Sequence, residues 1–301
     1  MRYFIITVDT EGDGGWFYHE GDLVKPENSL AIPKFQTLCE KYGLRPVYLT
    51  NYEMVSDDRY VNYIREKAQC GLCEVGIHVH AWNNPPKYEL ERKYTGNPYL
   101  IEYPSEIMRM KFETTYNLIR DRIGIAPVSH RAGRWVMNES YFRLLEEFDI
   151  KVDCSYTPEI SWSKTPGATV PGGSDYSKET IEIKQIGNIL EVPITISSFH
   201  TGKGSFRTKL KYLIKGNKVW LRPAITSVYD MKRLIDKAGK IGYVEFMIHS
   251  SELIPGGSPY FRDEKSIVGL YSNMEEIFRF VQKLGFIGIT LKDFAKCHLN
   301  H

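Results

Sequence analysis

Two carboxylates, Asp9 and Glu11, stand two residues apart in the segment VDTEGDG, directly after a short apolar run. That spacing points both side chains to one face of an extended chain, where one can take a proton while the other holds a divalent cation. The competing reading is a Gly-rich turn made soluble by acids. A second pair, His78 and His80 in EVGIHVH, has the same spacing and reaches one metal from one side of a strand end. Imidazole with carboxylate suits zinc, iron, cobalt or nickel, and the residue types do not choose among them. Just upstream, Cys70 and Cys73 give CGLCEVGIHVH a second reading as a local site of two cysteines and two histidines. Rigid strand between the pairs makes that spacing too tight for a zinc finger, and Cys73 reads better as a small buried hydrophobe. Three more ionisable residues follow: Arg131 in SHRAGRW, Asp153 in VDCSYTP and His249 in FMIHSSEL. Opposite charges at 131 and 153 can pair, either to orient a catalytic base and tune its pKa or as a plain salt bridge. His249 can donate a proton to a leaving group, or be a packed core histidine.

Positioning these residues requires strand ends that face one mouth. Short apolar runs alternate with helical periodicity along the whole chain. Strands are expected at 3–8, 46–49, 74–79, near Val128, and at 150–154, 189–194, 243–248 and 286–290. Helices are expected over 30–42, 59–69, from Ser105 as N-cap, and over 138–148, 227–238 and 273–284. The pattern is that of parallel βα units: an α/β fold, a closed or nearly closed (β/α) barrel in one domain spanning residues 1–301. In such barrels ligands sit at the C-terminal ends of the strands, and Asp9, Glu11, His78, His80, Arg131, Asp153 and His249 all fall at those ends. Two stretches interrupt the alternation. Residues 159–178 are rich in Pro, Gly, Ser and Thr and read as a long loop. Residues 193–229 form an acid-free insertion carrying Lys203, Arg207, Lys209, Lys211, Lys215, Lys218 and Arg222, with Leu210, Leu213, Ile214 and Trp220 interleaved. That insertion reads either as a patch for lipid phosphates or a nucleotide-sugar, or as a solvated face.

Composition bounds the remaining choices. With 301 residues, 42% hydrophobic and 25% charged, the chain has ordinary globular usage, and 39 basic against 37 acidic residues give no whole-protein case for nucleic acid. Five cysteines, an odd number, are not a disulfide framework and point to a reducing, cytoplasmic compartment. No window has the roughly 18 apolar residues of a membrane span, and the apolar run before Asp9 is too short for a signal-peptide core.

In order along the chain, Asp-x-Glu, EVGIHVH, HRAGRW, VDCSYTP and FMIHSSEL resemble the motif set of the polysaccharide deacetylase superfamily (NodB homology, carbohydrate esterase family 4), in its divergent surface-glycan type. The resemblance runs from about Arg2 to Phe294. It implies a distorted (β/α) barrel of about seven parallel strands and metal-dependent removal of an N- or O-acetyl group from a carbohydrate. By motif, Asp9 matches the general base, Glu11 the metal-binding acid and His78 the first metal histidine. Arg131 matches the arginine that positions the base, Asp153 the acid that pairs with that arginine, and His249 the general acid. The chain departs from the family pattern in spacing its first two acids, in placing Trp82 where a second histidine is usual, and in carrying Gly133 and Arg134 before Trp135. His80 is then the alternative third ligand. The resemblance implies one divalent metal, zinc first, with cobalt, nickel or iron as alternatives. A backbone N–H near Gly133 would serve the oxyanion, and Trp16, Trp82 and Trp135 would stack on sugar. Expected partners are an acetylated sugar, nucleotide-sugar or lipid-linked glycan, with peripheral membrane contact through the basic insertion, in cell-surface polysaccharide biosynthesis. The rival readings are an amidohydrolase-type metallohydrolase, in which the His-x-His pair would follow the first strand, and a non-catalytic glycan-binding protein on the same fold.

Overall fold

The computed structural model describes residues 1–14, 24–199 and 217–299. Strand runs rich in β-branched and aromatic residues are buried on both faces, as parallel strands between a barrel interior and a helix layer must be. In chain order the strands are β1 Tyr3–Thr10, β2 Val47–Thr50, β3 Glu74–Val79, β4 Ser129–Ala132, β5 Val152–Asp153, β6 Lys184–Ile186, β7 Ile189–Glu191, β8 Ile196–Phe199, β9 Asn217–Trp220, β10 Tyr243–His249 and β11 Ile287–Gly288. The α-helices are α1 Ile32–Lys41, α2 Tyr52–Ser56, α3 Asp58–Gln69, α4 Ser105–Ile123, α5 Glu139–Glu147, α6 Val228–Ala238, α7 Glu264–Lys283 and α8 Leu291–Leu299.

The main sheet runs β10-β1-β2-β3-β4-β5-β7 with every neighbour parallel, which makes seven parallel strands. It is curled into the distorted barrel that the alternation and the family resemblance implied. β11 pairs with the start of β1, and β6 returns antiparallel on β7. Between β7 and β10 the wall is bridged by loop backbone. Leu221 N donates to Thr195 O at 3.0 Å, Met247 N to Leu221 O at 3.1 Å, and Glu245 N to Thr195 Oγ1 at 2.8 Å. From this bridge the antiparallel pair β8–β9 projects, carrying Trp220 at its root. The described residues of 193–229 are therefore part wall and part ribbon. Lys203, Arg207, Lys209, Lys211 and Lys215, with Leu210, Leu213 and Ile214, lie outside the described residues, as does Trp16.

Alternation along each strand divides the core. Phe4, Ile6 and Val8 of β1 pack outward with Phe35, Ile64, Phe112 and Phe278 of the helix layer, whereas Ile5 packs inward with Val47, Leu49, Val152 and Cys154. Each such fully buried apolar side chain contributes about 1.5–3 kcal/mol relative to exposure. Register then sorts the ionisable residues. Asp9 lies opposite His249 and His78 opposite Arg131, so all four point into the barrel at its C-terminal end. His130, one residue before Arg131, lies opposite Asp153, which lies opposite Glu191. Those three face the helices.

Helix starts follow their caps: the Asp57 carboxylate accepts from Tyr60 N at 3.0 Å before α3, and the Asn138 side chain from Tyr141 N at 2.9 Å before α5. Two expectations are corrected. Ser105 is already inside α4, and Pro104 occupies the cap position. The last long helix, α7, starts at Glu264 and not at Asn273, because the Asp263–Ser266 capping box nucleates it earlier.

Candidate active site

The first acid of the site is fixed by a buried guanidinium. Arg131, with no exposed surface, donates from Nη1 to Asp9 Oδ1 at 2.5 Å, from Nη2 to Thr7 Oγ1 at 2.9 Å and to Glu245 Oε1, and from Nε to Cys154 O at 3.0 Å. All its partners lie on the inner faces of β1 and β10 or on the backbone after β5. Burial alone would raise the Asp9 pKa, but Arg131, with His78 and His249, outweighs it and holds the carboxyl at about 2. Glu245 is buried one layer deeper, and burial pushes it up to about 7 despite Arg131.

Three further side chains gather above Asp9. Glu11 Oε2 lies 3.1 Å from His80 Nε2 and 3.8 Å from His78 Nε2, and the two Nε2 atoms are 3.0 Å apart. They form a group of buried donors that can hold a metal ion. The donor chemistry fits a cation. His78 Nδ1 is 2.8 Å from the Arg131 carbonyl oxygen, which can only accept, so Nδ1 carries the proton and Nε2 presents its lone pair. Donors about 2.0–2.2 Å from one ion at tetrahedral or octahedral angles stand about 3–3.5 Å from each other, close to the separations found. Burial raises Glu11, and burial with its neighbour His78 holds His80 well below the usual imidazole range. His78 is raised, because Glu11 and Asp9 overcome the lowering by burial. His80 stacks on Trp82, with ring centroids 4.5 Å apart. The cysteines do not join this group: Cys73 is buried and Cys70 exposed, both as free thiols.

His249 closes the far side, its Nε2 3.6 Å from Asp9 Oδ2 and 3.8 Å from Glu11 Oε1. The turn after it is tied down by Glu252, which accepts from His249 N at 3.2 Å and from Arg222 Nη2. Burial first, and then Arg222, keeps the imidazole well below its ordinary pKa.

Asp153 is a correction. Its carboxylate does not pair with Arg131; it takes His130 Nδ1 at 2.7 Å and Ser155 Oγ at 2.7 Å on the outer face of the barrel. His130 in turn meets Tyr141 Oη at 2.9 Å. Strand parity is the cause, since Arg131 and His130 are consecutive and Asp153 is in register with the wrong one of the two. Facing Asp153, Glu191 is driven well above the carboxylate range by burial and by that like charge.

Above the ligands opens a cavity of about 480 Å³, within the range of about 300–1,000 Å³ that encloses small-molecule ligands. Trp82, Trp135, Trp162 and Trp220 all line it. Gly133 does not line it but sits behind: a Cβ there would stand 2.4 Å from Val79 O and 2.8 Å from the His80 ring, so only glycine lets β4 end this close to β3. The next two residues turn with positive φ, Arg134 at 58° and Trp135 at 66°, a conformation that costs about 1–3 kcal/mol per residue and is kept where the surroundings enforce it. Tyr176 Oη donates to Trp135 O at 2.6 Å, and Trp135 stands edge-on to Trp220 at 6.2 Å. Residues 159–178, expected as a plain loop, supply Trp162 and Thr165 to the cavity wall. Glu102 pins that loop by accepting from Ala168 N at 3.1 Å and Thr169 Oγ1 at 2.7 Å.

Sequence reading missed Glu245, Trp162 and Tyr260, and it named Trp220 and Arg222 in the basic insertion and Arg134 beside Gly133 without bringing them to the cavity. Glu245 had a signal: an acid inside the apolar run YVEFMIH, four residues before His249 and hence on its face. The others are loop or ribbon residues, whose placement no periodicity encodes.

No protein-family model matches the chain, and no curated protein sequence matches it. Solved structures do. A candidate polysaccharide deacetylase from Mycobacterium smegmatis superposes with a TM-score of 0.57 at 12% identity, over 98% of this chain and 90% of that one. A 4-alpha-glucanotransferase from Thermococcus litoralis superposes with a TM-score of 0.52 at 13% identity, over 98% of this chain and 38% of that one. The chain shares the barrel fold of polysaccharide deacetylases. A glucanotransferase on the same scaffold shows that the chemistry must be argued from the site.

Proposed function

We propose that the protein is a metal-dependent hydrolase that removes an acetyl group from the nitrogen or oxygen of a carbohydrate. The observation that carries this reading is the placing of Asp9, neutralised by Arg131, and His249 on two sides of the Glu11–His78–His80 donor group, at the floor of a cavity walled by four tryptophans. Those three donors are the residues that would hold one divalent ion, zinc foremost from its preference for imidazole and carboxylate, with cobalt, nickel or iron as the other candidates. When bound, such an ion supplies a Lewis acid that polarises the acetyl carbonyl and lowers the pKa of water.

The protein's own groups do the rest. Asp9, oriented by Arg131, takes a proton from the water that attacks the acetyl carbon. A backbone N–H near Gly133 would serve the developing oxyanion. His249 is neutral at rest, because burial and Arg222 hold its pKa down. It takes the water's proton from the Asp9 carboxyl 3.6 Å away and gives it to the departing nitrogen or oxygen as its bond to the acetyl carbon breaks, so acetate and a free amine or hydroxyl leave. Trp82 and Trp135 stack on the sugar ring, and Trp162 and Trp220 extend that lining. We place this activity in surface-glycan biosynthesis on a nucleotide-sugar or lipid-linked glycan, within a chain acting as one unit. No helix of the described residues is long and apolar enough to cross a membrane. Five free cysteines support a cytoplasmic setting. Acetate release from a panel of acetylated sugars tests the reading: Asp9→Asn should lower kcat by about 10²–10⁴-fold while the variant still binds metal, and an undiminished rate would remove Asp9 from the mechanism.

A further inference from the structure

Charges around the cavity are paired, with one exception among the described residues. Asp9 is matched by Arg131, Arg222 by Glu252, and Glu11 by the histidines it meets. Arg134 lines the cavity and has no carboxylate partner among the described residues. Its Nη2 donates to Pro166 O at 2.9 Å and its Nη1 to Asn97 O, both uncharged acceptors, and its guanidinium lies over the Tyr99 ring at 4.2 Å. Among the described residues two of the five N–H donors of the fork are used, which leaves three. Glu102, the acid whose field reaches it, spends both oxygens on Tyr99 N, Ala168 N and Thr169. Burial accordingly lowers the Arg134 pKa from the usual guanidinium range, although it stays charged. The charge is felt at the ligand group, since Arg134 helps to lower His80. A left-handed backbone at φ 58° holds the side chain there.

We infer that the sugar taken by this site carries an oxyanion, a carboxylate or a phosphate, beside its acetyl group, and that Arg134 is the residue that pairs with it. This rests on the acetyl-sugar reading of the cavity and narrows it. A planar fork with free donors matches both oxyanions in a two-point contact that a neutral hydroxyl cannot equal. Arg134 is thus a specificity residue. Its two carbonyl contacts fix the fork between residues 97 and 166 and leave it no other counter-charge among the described residues.

The test compares three probes on the chelator-treated full chain, where no turnover occurs: N-acetylglucosamine, its 1-phosphate and its uronic acid counterpart. Quenching of the cavity tryptophans reads affinity. At least one anionic sugar should bind about tenfold tighter than the neutral one or better, as a charge-assisted pair provides, and the preferred probe tells phosphate from carboxylate. Arg134→Gln should weaken that anionic sugar at least tenfold more than the neutral one, and Arg134→Lys should retain part of the preference. Equal affinity for all three, no binding of either anionic sugar, or an equal loss for charged and neutral probes in Arg134→Gln overturns the assignment and leaves Arg134 as a clamp between loops. Acetate release measured alongside keeps the two readings apart. Hydrolysis without anion preference removes only the inference about Arg134, and anion-selective binding without hydrolysis of any sugar removes only the hydrolase.

Discussion

The Nε2 atoms of His78 and His80 face each other across 3.0 Å, and Glu11 Oε2 stands 3.1 Å from the second. Because His78 spends its Nδ1 proton on the Arg131 carbonyl, its Nε2 lone pair meets the His80 Nε2 and the Glu11 carboxylate in one place that a cation can occupy.

Adding zinc should therefore stabilise the fold. At a hundredfold excess over Kd, mass action contributes about 2.7 kcal/mol, a rise in Tm of several degrees. His78→Ala and Glu11→Ala should abolish both the shift and the bound metal measured by elemental analysis. A protein that takes up no divalent ion would support the non-catalytic glycan-binding alternative.

Replacing Asp153 should damage stability and not the metal site. Asp153→Ala leaves His130 and Ser155 buried without their acceptor, at about 1–3 kcal/mol for each. Denaturant unfolding should show that loss while zinc uptake persists. A variant of unchanged stability that loses only activity would return Asp153 to the catalytic machinery.

Glu245 predicts a slope of stability with pH. Its folded pKa is raised to about 7 by burial, above its unfolded value, so the folded state holds a proton that the unfolded chain has released. Stability from this group is full below about 4.5 and falls as pH climbs towards about 7. Glu245→Gln removes that fall, so the variant should gain on the parent in urea midpoint between pH 5 and pH 8. A constant difference between the two proteins at both pH values would show that Glu245 is ionised throughout.

Trp162→Ala should weaken sugar binding by about three- to tenfold, the scale of one aromatic contact, with metal affinity unchanged. An unchanged KM would place Trp162 outside the sugar contact.

The strand alternation, read as eight strands of which the last only pairs with the start of β1 beside the seven-stranded wall, and the gathering of Asp9, Glu11, His78, His80 and His249 were legible because each depends on local chemistry: an apolar run, then an ionisable residue at its end. The partner of Arg131 was not legible. Strand parity puts consecutive His130 and Arg131 on opposite faces, but which of them meets Asp153 depends on the β4–β5 register, and register is set by tertiary packing. Trp162 and Trp220 were hidden for a related reason. One lies in a loop pinned by Glu102 from a distant segment, the other at the root of a ribbon that projects from the backbone bridging β7 and β10.

The most direct test of the account is metal-titrated acetate release. The chain is stripped with chelator, divalent zinc is returned in steps, and the rate on the best acetylated sugar is plotted against bound metal per chain. The account predicts no acetate without metal, a linear rise that ends at one ion per chain, and a flat line for His80→Ala. Full activity in the stripped protein, or undiminished activity in His80→Ala, would contradict it.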